Sequence, residues 1–312
     1  MVKNYKIVFD TIQKEVGRVI IGQEDLIDQI MTAMLCDANA LLEGYPGLAK
    51  TLTIRTLSEV LDMKFSRIQN TPDLMPSDIT GTYIISEKGG RREFEFQPGP
   101  IFSNIVLADE INRATPKSQS ALLEAMQEKQ VTVGNSTYKL DLPFFVLATQ
   151  NPIEQEGTYP LPEAQADRFL LKIKVGYPKP EEEMKIVDRF TNPLVENKLR
   201  KILNKQQLLH LQQTTREIPI ANDLKRRVID LIDATRTKKD LVQYGASPRA
   251  SIGLILASKA RALIMGRNHV SSEDIEALAQ PVLRHRIVLN FEAERKGLTV
   301  DDAILELLKK VK

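Results

Sequence analysis

Short, unbroken apolar runs alternate with longer stretches of helical period through the first 176 residues, which predicts a parallel β-sheet with helices on its faces. Residues 5–20 and 23–38 carry apolar side chains at helical spacing, with Leu26, Ile30, Met34 and Leu35 sharing one side of the second stretch. Ala40-Leu41-Leu42 then runs into a glycine-rich turn, Gly44–Thr51, and the helical period returns over Leu52–Leu61. Further apolar runs stand at Phe65–Ile68, Ile105–Ala108, Phe144–Ala148 and Phe169–Ile173. Strands covered on both faces read this way, because neither face needs polar residues. Two segments break the rhythm with a period of two. Thr82–Ile85 and Glu93–Phe96 flank the turn Glu87-Lys88-Gly89-Gly90, and Val131–Val133 and Thr137–Leu140 flank Gly134-Asn135-Ser136. Each predicts an inserted β-hairpin, which on its own pattern is simply a solvated edge.

Gly176-Tyr177-Pro178-Lys179-Pro180 stops any helix from running through, and strand-like runs largely vanish beyond it. The remainder reads as helices near 180–190, 219–236, 248–266, 272–283 and 300–310, one of them opened by a Ser271–Asp274 capping box. The expected fold is therefore an α/β domain with a central parallel sheet over residues 1–176, followed by a smaller all-α domain over 177–312. At roughly 100–200 residues per domain the chain has the length for both.

Composition removes several function classes. Lys and Arg number 43 against 41 Asp and Glu, a formal +2, and no run of five basic residues occurs, which argues against a nucleic-acid partner. Cys36 is the single cysteine, so no internal disulfide forms, and its amphipathic setting suits a small buried hydrophobe. No segment approaches the ~18 apolar residues that cross a bilayer, and Met1–Asp10 is too polar for a signal peptide, so a cytoplasmic location is expected. His210, His269 and His285 have no ligand spacing and read as structural.

The chemistry lies in three places. Gly44-Tyr45-Pro46-Gly47-Leu48-Ala49-Lys50-Thr51, between a strand and a helix, has the form of a phosphate-binding loop. Its glycines would let successive N–H groups face phosphate oxygens, with Lys50 reaching the β- and γ-phosphates and Thr51 ligating Mg²⁺. Ala49 departs from the pattern, which wants glycine there; the methyl is tolerated if the backbone keeps a negative φ. Taken alone, the segment could be an ordinary turn opening a helix. The second place is Ile105–Glu110, an apolar strand ending in two carboxylates about sixty residues after the loop. Asp109, expected beside the loop's strand, could hold Mg²⁺, and Glu110 could polarise the attacking water. The third is the strand Phe145–Ala148, which leads to Asn151; that side chain either reaches the γ-phosphate or makes a turn before Pro152.

These residues, with "EINRATPKSQSALLEAMQEKQVTV" from Glu110, "ATQNPIEQEGTYPLPEAQADRF" from Ala148 and "VLRHR" from Val282, closely resemble the MoxR family of AAA+ P-loop ATPases over nearly the whole chain. Ala49 is usual in that family's loop. The resemblance implies ATP or ADP with Mg²⁺ as ligands, bound by the loop from Tyr45 to Leu52, with Ile21, Gly22 and Gln23 near adenine. It makes Asn151 the sensor 1 residue, Arg168 an arginine finger for the neighbouring subunit, and Arg249 the sensor 2 residue reaching the γ-phosphate from the helical lid. It further implies a homo-oligomeric ring, most simply a hexamer, that remodels client proteins in a chaperone-like way, with the hairpins as its output and a separate von Willebrand factor A (VWA) domain protein as partner. Local chemistry supports Arg249 independently: Ser247 and Pro248 read as N-cap and first residue of a helix, so a cation in that first turn wants an anionic partner. A plain surface arginine is the alternative, and for Arg168 an ion pair with Asp167. Three other functions share these motifs: a magnesium-chelatase-type motor subunit, a DNA-directed motor, and a nucleotide-dependent scaffold that does not hydrolyse ATP. Glu110 argues against the last.

Overall fold

The computed structural model describes residues 2–88, 91–153, 157–192 and 198–311; Gly89 and Gly90 of the expected turn, and residues 154–156 of the second quoted segment, lie outside them. The chain opens with helices α1 (Val2–Gly17) and α2 (Glu24–Leu35). Five strands form the central sheet: β1 (Ala40–Glu43), β2 (Phe65–Gln69), β5 (Ile105–Asp109), β8 (Phe145–Gln150) and β9 (Leu171–Lys174). Every pairing among them is parallel. Between them run α3 (Lys50–Val60), α4 (Pro76–Thr80), the hairpin β3 (Gly81–Lys88) and β4 (Arg91–Pro98), α5 (Pro116–Glu128), the hairpin β6 (Gln130–Val133) and β7 (Ser136–Lys139), and the short α6 (Glu163–Ala166). Beyond β9 come α7 (Pro180–Thr191), α8 (Lys205–Glu217), α9 (Asn222–Thr237), α10 (Pro248–Ile264), α11 (Ser272–Leu283), α12 (Phe291–Arg295) and α13 (Val300–Lys310), with a two-stranded pair, β10 (Val242–Tyr244) and β11 (Val288–Leu289).

The sheet order is β2-β5-β8-β1-β9. The expectation that Asp109 lies beside the loop's strand is therefore corrected, because β8 stands between β5 and β1. The apolar runs fix which residues enter the sheet, but parallel strands buried on both faces carry no mark of their neighbours. One face, with Ile105, Leu107, Leu147 and Leu42, packs on α3, while Val106, Ala108, Val146 and Leu41 face the α5 side. Side chains alternate along each strand, so Asp109 and Thr149 emerge at the strand ends on the α3 side.

A single buried cluster continues from α1, α2 and the α3 face of the sheet into α8, α9, α10 and α11. Polar ties reinforce it: the Gln212 amide donates to the Met34 carbonyl at 2.8 Å, and Arg200 meets buried Glu15 at 3.2 Å. The "VLRHR" segment joins lid to sheet. Arg284 bonds Asp301 and the Lys172 carbonyl, His285 meets the Phe169 carbonyl, and Arg286 is buried against Asp167. Burial pushes the His285 imidazole well below its usual range, which fits a structural role. Cys36 is buried and its thiol is pushed up by the same cause.

The two hairpins pack on each other rather than standing alone in solvent. Tyr138 stacks on Phe96 with ring centroids 4.1 Å apart, and the Tyr83 and Tyr138 hydroxyls lie 2.7 Å apart. Tyr83 and Ile85 oppose Phe96 and Phe94 on one face of the first hairpin. The inner half of that face is partly covered, and Ile85 and Phe94 at its outer half are more fully exposed.

Asp274, which caps α11 by accepting from the Ser271 N–H at 2.9 Å, is fully buried and paired with Arg261 and Arg267. Burial alone would raise its carboxyl; hydrogen bonds from Arg267, Ser271 and Arg261 prevail and hold it below the usual range. Removing one partner of such a pair strands the other charge, so Asp274→Ala should cost about 3 kcal/mol, read as a lowered thermal midpoint. A depressed carboxyl contributes stability above its unfolded pKa and loses it as pH falls through the folded one. The gap between wild type and variant should accordingly narrow in acid.

Candidate active site

Why the loop has its shape follows from its neighbours. A Cβ on Gly44 would lie 2.8 Å from the Val175 carbonyl, so glycine is required there by the close approach of the chain leaving β9. Gly47 has φ +83° and faces open space, where a Cβ would meet nothing within 4 Å. Ala49, the N-cap of α3, has φ +55°. The negative φ expected of it is thus corrected: the loop demands a left-handed turn there, and the methyl bears it at roughly 1–2 kcal/mol.

The loop from Pro46 to Leu52 lines a cleft of about 420 Å³ together with Arg67, Asp109, Glu110, Thr149, Gln150 and Asn151. Lys50 lies over the loop, its Nζ donating to the Gly44 and Tyr45 carbonyls, both at 2.7 Å. Burial pulls its ammonium down, opposed by the charges of Asp109 and Glu110. Lys50, Thr51, Asp109, Glu110 and Asn151, picked out by motif, thus stand on one cleft wall.

The acidic pair is held on several sides. Thr149, fully buried at the end of β8, donates its hydroxyl to Asp109 Oδ1 at 2.6 Å and accepts from the Glu110 N–H at 2.8 Å. Glu110 Oε2 accepts from Gln69 at 3.0 Å and from Arg113 at 3.2 Å. Glu110 itself is left-handed, with φ +55° and ψ +53°. A non-glycine residue kept in that conformation stores strain of order 1–3 kcal/mol. Arg67 completes the group: its Nε and Nη2 both donate to Asp109 Oδ2, at 3.0 and 2.6 Å. Asn151 Oδ1 accepts from the Ile153 N–H at 3.2 Å, a turn contact that still leaves the side chain on the cleft wall.

Arg67 and Gln69 lie outside every sequence motif, and Thr149 and Arg113 lie within the quoted segments but carry no role there. Arg67 and Gln69 alternate with buried Ile68 along β2, so they share the face of Asp109. That alternation is legible in the sequence, but its meaning depends on β2 pairing with β5.

Other expected site residues lie away from the cleft wall. Tyr45 stacks on Tyr177 with ring centroids 5.4 Å apart, beside the loop. Gly22, with φ +72°, sits under the Glu182 carboxylate at the start of α7, and neither it nor Ile21 and Gln23 lines the cleft. Arg249 is in the first turn of α10, capped by Ser247 as expected, and its anionic partner is Asp167 at 3.6 Å. Asp167 is also bonded by Arg286 at 2.7 Å and by the Ser247 hydroxyl at 3.0 Å. Arg168 points elsewhere, toward the Leu123 carbonyl at 3.4 Å. Arg249 and Arg286 are thus gathered around Asp167 while Arg168 turns away from it, and among the described residues none of the helical region lines the cleft.

The donors fit a hard divalent cation with a nucleotide. Thr51 and Asp109 offer oxygen ligands, and the loop turns an open face toward the space between them and Lys50. No group of three or more His, Cys, Asp or Glu side chains among the described residues forms a separate metal site. No helix among them is long and apolar enough to cross a membrane.

Comparison with known proteins agrees with this geometry. Residues 39–171 match the model of the ATPase family associated with various cellular activities (AAA), and residues 234–307 match the AAA lid domain. Chaperone MoxR1 of Mycobacterium tuberculosis is 46% identical over 95% of this chain and 80% of its own length. YeaC of Bacillus subtilis is 43% identical over 96% of this chain and 92% of its own. Protein MoxR of Paracoccus denitrificans is 32% identical, covering 90% and 89%. A crystal structure from Cytophaga hutchinsonii superposes with a TM-score of 0.93 at 44% identity, over all of this chain and 96% of that one.

Proposed function

The chain belongs to the MoxR family of AAA+ ATPases, and from that premise we propose that it hydrolyses Mg²⁺-bound ATP in the cleft above β1, β8 and β5, within a homo-oligomeric ring that remodels client proteins. The observation that carries this reading is the convergence of Lys50, Thr51, Asp109, Glu110 and Asn151 on one cleft of nucleotide size. Lys50 and the loop amides bind the phosphates, and Thr51 and Asp109 hold the cation. Mg²⁺, when bound there, would supply neutralisation of the phosphate charge. Glu110 polarises the attacking water, and Asn151 holds it in line. Arg168 and Arg249 each lie off the cleft of their own subunit; Arg168 suits a neighbouring subunit's γ-phosphate, which supports a closed ring, most simply a hexamer, and Arg249 is kept as the sensor 2 residue carried by the lid. The exposed Ile85 and Phe94 support an output through the first hairpin to a client; a VWA-domain protein is proposed as a separate partner on the family resemblance alone.

Lys50→Ala tests the site. Its ammonium is the only lysine charge on the described cleft wall, and charge-assisted bonds to two phosphates are worth about 3 kcal/mol together. Nucleotide affinity should fall roughly a hundredfold, with the circular dichroism spectrum unchanged. Unaltered binding in a calorimetric titration would remove the loop from the mechanism.

A further inference from the structure

Arg67 is not among the residues that the phosphate loop and the acidic strand account for, yet it makes the closest cationic contact in the cleft. Both its Nε and its Nη2 donate to a single oxygen, Asp109 Oδ2, at 3.0 and 2.6 Å. The other oxygen, Oδ1, is taken by the buried Thr149 hydroxyl at 2.6 Å. Three of the four acceptor positions of the Asp109 carboxylate are thereby taken, with a positive charge lying where a divalent cation or its coordinated water would meet Oδ2. A carboxylate oxygen with both lone pairs given to one guanidinium has none left for that water, and two cations on one carboxylate repel each other.

The placement of Arg67 makes exchange cheap. It stands on β2, the edge strand of the sheet, and its side chain is 47% exposed while Asp109 is 13% exposed. The guanidinium can swing into solvent or toward incoming phosphates by giving up its bonds to Asp109 and to Gln69, whereas Asp109 stays fixed by Thr149.

We propose that Arg67 is a positioning residue that occupies Asp109 in competition with the nucleotide's divalent cation, and so sets the Mg²⁺ concentration at which nucleotide binding saturates. The inference rests on the reading of Asp109 as a cation ligand. Arg67 acts as a resident counter-charge: it keeps Asp109 oriented until the cation arrives, then yields. That competition fixes the sign of its effect. Removing it should make the cation easier to bind, which is the opposite of what loss of a merely supporting residue would do.

The test measures binding of ribose-labelled fluorescent ADP across a Mg²⁺ series beginning in EDTA, for the wild type, Arg67→Ala and Arg67→Lys. A partly exposed ion pair of this kind is worth roughly a three- to tenfold shift. The Mg²⁺ midpoint should move down by that factor in Arg67→Ala. Arg67→Lys, which keeps charge but not the paired donors, should fall between. A midpoint that is unchanged, or moved to higher Mg²⁺, overturns the proposal while leaving the nucleotide site intact. Labelled ADP that fails to bind the wild type at any Mg²⁺ concentration would instead bring down the site assignment, and this inference with it. Should Arg67→Ala not fold, judged by circular dichroism, Arg67→Lys decides by the same sign.

Discussion

Glu110→Gln should bind Mg²⁺–ATP at near-normal affinity and turn it over roughly 10²–10⁴ times more slowly than the wild type, the range spanned by a positioned general base. The substitution suits the geometry. Glutamine has the length of glutamate, and its carbonyl oxygen can still accept from Gln69 or Arg113, which bond Oε2 at 3.0 and 3.2 Å. The left-handed backbone at residue 110, φ +55°, depends on the Glu110 N–H bond to Thr149, which the change does not touch. What disappears is the capacity to accept a proton from water. Asp109→Asn, one residue earlier, should behave differently by weakening Mg²⁺-dependent nucleotide binding itself. Phosphate release measured beside nucleotide titration separates the two, and Glu110→Gln with near-normal turnover would exclude Glu110 as the base.

The fold is legible where pattern is local. Each apolar run of the first 176 residues is a strand of the central sheet, with ends shifted by a residue or two. The stretches of helical period are helices as well, and Ser247-Pro248 opens α10 as its N-cap and first residue. α8 is hidden in the sequence because it is mostly glutamine, threonine and charge, with Leu208 and Leu211 its few apolar anchors. β10 and β11, of three and two residues, are too short to carry a period. The hairpins show in the pattern, but not the Tyr138 stack that joins them, since a half-exposed aromatic looks the same whether it meets solvent or a second hairpin.

At the site, motif brings some residues together and strand pairing supplies the others. Lys50, Thr51, Asp109, Glu110 and Asn151 each stand at the end of a recognisable element, so their placement follows from position along the chain. Arg67 and Thr149 matter because β2 and β8 flank β5, and strand order is invisible in parallel strands that are apolar on both faces. The same limit explains Arg249. Its first-turn position announces a need for an anion, but only the three-dimensional structure puts Asp167 there, next in sequence to Arg168.

That adjacency leads to the largest effect. An arginine delivered to a γ-phosphate stabilises transition-state charge and is worth on the order of 10³–10⁵ in rate. Arg168 lies off its own cleft, bonded at 3.4 Å to a carbonyl in the middle of α5, so Arg168→Ala should bind ATP almost normally and hydrolyse it by about that factor more slowly. Loss of a long, neutral-acceptor bond should leave the thermal midpoint nearly unchanged. Mixing gives the sharper result. Lys50→Ala has a dead cleft and an intact finger; Arg168→Ala has an intact cleft and no finger. Combined, some interfaces pair a working cleft with a working finger, so activity absent from either variant alone should partly return. Wild-type specific activity should also rise with protein concentration as rings assemble. If the mixture stays inactive, and activity is independent of concentration while Arg168→Ala is dead, Arg168 acts within its own subunit and a neighbour is not needed for hydrolysis.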